Sequence, residues 1–275
     1  MTSSVTAELL VLRKRTSTWI LLGIWTTLAL VFAYVVPYVT YLNNPREQPL
    51  ADVLPDQLVG ELMGGFPFFG GVLALMLGVL TFGSEYGWGT LRTLFVQRPG
   101  RLNVFAAKLL ALAVALVPFV LVVFAVGALA SSAIALREGV DIALPSAWLL
   151  VRGLAAGWLI LAVWTALGVL LAVFSRGTAL AVGIGILYAL VIEGLLSALA
   201  TQVSVIDRVV EFFLRANAYS LVTTLGVSAD DVANNGPGSF SGPFVGGGQA
   251  LLVLGVYAAV FLLVSGWLLR RRDVA

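Results

Sequence analysis

The chain has 275 residues, 60% of them hydrophobic and 11% charged, with a mean hydropathy of +1.02 and a net charge of +2. Soluble domains are about half apolar and a quarter charged, so this chain has too little polar surface to cover a soluble globule. It contains no cysteine and no histidine, which excludes disulfides, thiolate and imidazole chemistry, and the usual zinc, copper and haem ligands.

A hydrocarbon core of about 30 Å needs roughly 20 apolar residues per helix. Six stretches meet this, at about 19–38, 66–83, 104–130, 147–174, 178–200 and 249–269. The predicted fold class is all-α integral membrane, a single transmembrane domain over 1–275. The first span follows the basic stretch "AELLVLRKRTSTW", read as an interfacial helix over 4–17. It is too long for a signal peptide, and no small-residue cleavage site follows it, so it reads as a retained span.

Six spans place both ends on one side, and the Lys/Arg distribution says which side. The flanks on the side of the termini hold eleven bases, among them Arg13, Lys14, Arg15, Lys108, Arg176 and the Arg270–Arg272 run. The other side holds five: Arg46, Arg137, Arg152, Arg208 and Arg215. Both termini are therefore expected in the cytoplasm. The longer connections, 39–65 and 201–248, fall outside. In the second of these, Ile206, Val209, Val210 and Phe213 recur at helical spacing, while Asp207, Glu211 and Arg215 share the opposite face. That pattern predicts an amphipathic helix lying in the outer interface, followed by the loop "NNGPGSFSGPFVGGG".

Between the second and third spans runs "GSEYGWGTLRTLFVQRPGRL", residues 83–102. Gly87 and Gly89 let the chain turn as it leaves the membrane. Thr90 can cap a short helix. Leu91, Leu94 and Phe95 then form one apolar face, Arg92 lies elsewhere on the helix, and Pro99 stops it. The result is a short basic amphipathic helix parallel to the bilayer. Anchoring on anionic lipid is its simplest use.

The longer stretch "EYGWGTLRTLFVQRPGRLNVFAAKLLAL" resembles the first intracellular loop of the permeases of the ABC type-2 exporter family. The matching positions are Glu85, Gly89, Thr90, Arg92, Pro99, Arg101 and Lys108. The resemblance implies that the loop (84–103) carries a coupling helix seated in a groove of a separate ATPase subunit. Leu91, Leu94 and Phe95 would fill that groove, and Arg92, Arg98 and Arg101 would meet acids at its rim. It further implies two ATPase copies, a second permease copy (identical or a relative), and a bacterial inner-membrane location. No G-x-x-x-x-G-K-[ST] motif occurs in the chain, so ATP and Mg are expected on the partner and no cofactor on this chain. Membrane lipid is the other expected partner, and nucleic acid is not one.

Two charges lie within spans. Glu193 is about seven residues from the outer end of the fifth span, and Arg152 about five from the outer end of the fourth. At 1.5 Å per residue their depths are roughly 10 and 8 Å. They can form a structural pair, or Glu193 can face a translocation cavity. Trp25, Trp158, Trp164, Gly183 and Gly185 read as packing residues. The competing function is a secondary transporter or channel without an ATPase partner, a class that normally carries more ionisable groups within its spans.

Overall fold

The computed structural model describes residues 2–46, 48–87, 100–200, 204–234 and 239–271. Among them every regular element is helical, and six helices are long and apolar enough to cross a membrane: Thr16–Asn43, Phe66–Tyr86, Leu102–Glu138, Ala147–Ser175, Ala179–Ala200 and Gly247–Arg271. The third reaches well beyond the 104–130 expected from hydropathy, because its ends continue as helix past the apolar stretch. It stops where Gly139 adopts φ 68° and its N–H returns to the Ala135 carbonyl, the usual left-handed helix stop. Ser146 caps the fourth span by accepting from the Leu149 N–H at 3.2 Å.

The second and fourth spans form the centre. A Cβ on Gly78 would sit 2.3 Å from the Thr165 carbonyl oxygen, and one on Gly168 would sit 2.1 Å from that of Leu75. The two backbones therefore touch, as small residues permit in membranes, and Thr165 Oγ1 donates across to the Ala74 carbonyl at 3.1 Å. The fifth span joins this core through Gly185, where a Cβ would meet Leu75 at 2.6 Å. Gly183 faces open space instead, so of the two glycines marked in the sequence only Gly185 makes a close approach.

Pro118 lies inside the third span and removes one intrahelical hydrogen bond. Two indoles brace the backbone around it: Trp158 Nε1 donates to the Ala113 carbonyl at 2.9 Å and Trp25 Nε1 to that of Phe119 at 3.2 Å. Trp164 is fully buried with its N–H against Gly71, where a Cβ would lie 2.6 Å away. All three tryptophans thus act in packing. The first, second and fifth spans each contain one π-helical turn, at Val31–Val35, Phe66–Gly70 and Tyr188–Ile192. Pro67 lies at the start of the second of these turns, and Pro37 follows two residues after the first.

On the side away from the termini, the amphipathic helix expected through residue 215 is broken. One helix runs Ser204–Val210, Phe213 is extended (φ −70°, ψ 149°), and a second helix runs Leu214–Thr223. Of the residues expected on one apolar face, Val210 is fully buried but Val209 is 52% exposed. Leu214 through Val222 are all buried. Arg215, placed by the sequence pattern on the polar face, therefore lies inside the protein.

Candidate functional site: a charged cluster at the loop roots and a buried network opposite

The N-terminal helix Thr2–Lys14 packs along the third span, and this brings Glu8 to the root of the 84–103 loop. Lys108, about two turns into the third span, is 1% exposed. Its Nζ donates to Glu8 Oε2 at 2.7 Å and to Glu85 Oε1 in a still shorter contact. The ammonium also lies 5.9 Å from the centre of the Phe82 ring, which packs edge-on against Phe105. Arg15, at the break between the N-terminal helix and the first span, donates to the Leu80 carbonyl at 3.0 Å. Burying a single ammonium is costly, and two carboxylates close together repel. Only the three groups together make the site tolerable, and in doing so they join three elements.

Glu85 and Lys108 were both singled out in the sequence, but Glu8 was not. No local signal identifies it, because it lies 100 residues from Lys108 in the chain. The coupling-helix residues Gly89, Thr90, Leu91, Arg92, Leu94, Phe95 and Pro99, with Arg98, lie outside the described residues. Arg101 opens the third helix. The cluster therefore joins the two points where the chain enters and leaves that segment.

On the opposite side, the structure does not bring Arg152 and Glu193 together. Glu193 is fully buried and accepts from the Tyr188 hydroxyl at 2.6 Å and from the Arg215 backbone N–H at 3.2–3.3 Å. The Arg215 guanidinium stacks over Phe68, Tyr219 and Phe240 at 4.8–5.7 Å and donates to the Ser239 carbonyl at 2.6 Å. Burial pushes the Tyr219 hydroxyl above its ordinary range, against the opposing effect of Arg215. Arg152 is exposed and donates instead to the Thr224 carbonyl at 3.1 Å. The expected pair is thus replaced by a Tyr188–Glu193–Arg215 network that holds the fifth span to the second span and to the helix Leu214–Thr223.

Beside this network, a cavity of about 210 Å³ opens between the first span and residues 61–69. Trp25, Phe32, Phe69 and Tyr219 supply aromatic walls, and Gln48 and Glu61 supply polar ones. Phe32 and Phe69 stack at 5.0 Å. The π-helical turns of the first and second spans, Val31–Val35 and Phe66–Gly70, contribute Phe32 and Phe69 to its lining.

No curated protein matches the chain. A family model described as ABC-2 family transporter protein matches residues 4–192, from the N-terminal helix through the π-helical turn of the fifth span. That stretch contains four spans, most of the fifth and the whole Glu8–Glu85–Lys108 cluster. With well over half of its length matched in this way, the chain belongs to the ABC-2 transporter family, as a membrane-embedded permease component.

Proposed function

We propose that this chain is the permease subunit of an ATP-driven exporter in a bacterial inner membrane, with both termini in the cytoplasm. It works with two copies of a separate ATPase subunit, which hold ATP and Mg, and with a second permease copy. The permeases form the translocation path, for which the aromatic cavity beside Glu61 is a candidate lining. The observation that carries this reading is the buried Glu8–Lys108–Glu85 cluster at the two roots of residues 88–99, within a chain of this family. A loop that only rested on lipid would have no use for a rigid, desolvated footing. A loop that transmits force from a motor requires one.

The test separates docking from lipid anchoring. Burying a Leu or Phe side chain contributes roughly 1.5–3 kcal/mol, so Leu94→Asp should release the ATPase subunit or uncouple ATP hydrolysis from transport. Arg92→Ala should do less, because an exposed charge pair contributes about 0.2–1 kcal/mol. Pull-down and transport assays on the assembled complex read both. If the triple variant Arg92/Arg98/Arg101→Ala loses transport while Leu94→Asp retains docking and transport, the loop is a lipid anchor and the proposal fails.

A further inference from the structure

With Glu193 satisfied elsewhere, Arg152 is a cation within a span that no carboxylate among the described residues pairs with. Among the described residues it forms no ion pair, and its one recorded bond, to the Thr224 carbonyl, uses one of five N–H donors. It lies five residues past Ala147, about 8 Å into the fourth span by helical rise. Its surroundings face lipid: Trp148 is 70% exposed, Val151 54% and, just before the helix, Leu144 62%. Tryptophan at a span end marks the headgroup level. A guanidinium at this depth and on this face is expensive unless it reaches an anion. The anion available at the headgroup level of every phospholipid bilayer is the lipid phosphate.

The surface beneath Arg152 has the matching shape. A crevice of about 460 Å³ runs from Arg152 between the fourth and sixth spans and the end of the helix Leu214–Thr223. Its walls include Ala155, Ala156, Leu159, Leu225 and Leu251, almost wholly apolar. Gly247 packs so closely on Thr224 that a Cβ would meet Thr224 Cγ2 at 2.7 Å, while Gly248 leaves open space beside the mouth. The first amides of the sixth span open there too, without carbonyl partners in their own helix. A charged mouth over an apolar trough is complementary to a phosphodiester headgroup on an acyl chain, and to no soluble anion.

We infer that Arg152 and this crevice form a phospholipid site in the leaflet opposite the termini, the guanidinium binding the phosphate and the trough holding one acyl chain. Only the name of that leaflet, the outer one, rests on the proposed orientation. The site ties the fourth span to the sixth and to the helix Leu214–Thr223 through a lipid rather than through a side-chain pair.

The experiment uses the full-length chain in a maltoside detergent, stripped of lipid, with binding read by native mass spectrometry. Phosphatidylglycerol, diacylglycerol with the same acyl chains, and inorganic phosphate are added separately. The wild-type chain should bind one phosphatidylglycerol saturably, with diacylglycerol about tenfold to a hundredfold weaker, the loss of a charge-assisted hydrogen bond. Inorganic phosphate should not bind. Arg152→Gln should weaken phosphatidylglycerol to the diacylglycerol level, Arg152→Lys should fall between, and Ala155→Phe should block the trough while keeping the charge. Equal binding of the two lipids by the wild-type chain overturns the inference, and that comparison stands even if a variant fails to fold. Unchanged binding by Arg152→Gln, or saturable binding of inorganic phosphate, overturns it as well.

Discussion

Replacing Lys108 by methionine keeps the apolar stem of the side chain and removes the ammonium, leaving Glu8 and Glu85 facing each other across the vacated position. Glu85 is 6% exposed and Lys108 1%, so little water is present to screen them. Removing one partner of such a buried pair costs about 3–5 kcal/mol. At about 2–4 °C per kcal/mol for a chain somewhat smaller than this one, the melting temperature should fall on the order of 10 °C. Glu85→Gln should cost somewhat less, because the amide can still accept from the ammonium and Glu8 still balances the charge. Glu8→Gln should cost least, since its side chain is 14% exposed. The double variant Lys108→Met/Glu85→Gln removes opposite charges together and should recover part of the Lys108→Met loss. Thermal unfolding of the detergent-solubilised chain, followed by the fluorescence of its seven tryptophans, measures all four. Single effects below about 0.5 kcal/mol, or strict additivity within the usual error of 0.3–0.5 kcal/mol, would show that the three charges do not act as a unit. The account of the loop footing would then be wrong.

Orientation is directly testable because the chain lacks cysteine: Arg98→Cys and Arg272→Cys should resist an impermeant thiol reagent added outside intact cells, and Asn235→Cys should react. Gly168→Ala should be severe, because its Cβ would meet the Leu75 carbonyl oxygen at 2.1 Å and neither backbone can yield; overpacking of this kind costs about 1–3 kcal/mol or more. Gly183→Ala, with nothing within 4 Å, should be neutral or stabilise by about 0.5–1 kcal/mol, and equal melting temperatures for the two variants would refute the backbone contact. A double-mutant cycle in the unfolding assay should find coupling between Glu193→Gln and Arg215→Gln, and none between Glu193→Gln and Arg152→Gln.

Hydropathy sufficed for the six spans because the bilayer imposes a length on each one separately, with no knowledge of its neighbours. The charge cluster was legible only in part for the opposite reason. Glu85 and Lys108 stand at the two ends of a distinctive loop sequence. Glu8 reaches them only because the N-terminal helix lies along the third span, and no pattern within that helix specifies its height there. The close approach of the second and fourth spans was hidden for a related reason. Glycines are common in spans, and Gly78 and Gly168 differ from Gly183 only in what stands opposite them.

The pairing of Glu193 failed on geometry of another kind. Counting residues from a span end gives the depth of a charge, but it says nothing about the direction in which the side chain leaves the helix. Arg152 and Glu193 were similar in depth, yet Arg152 leaves its helix at the exposed surface toward the Thr224 carbonyl and Glu193 leaves toward the protein interior. The residue that meets Glu193 instead, Arg215, was assigned to a solvated face by a periodicity running unbroken from Ile206. The extended backbone of Phe213 resets the phase of that pattern. The helix beginning at Leu214 is thereby reoriented so that Arg215 turns inward, its backbone N–H meeting Glu193 and its guanidinium covered by three aromatic rings. One residue in extended conformation thus changed a surface cation into the buried partner of a membrane acid, and among the described residues it left Arg152 without an ion pair.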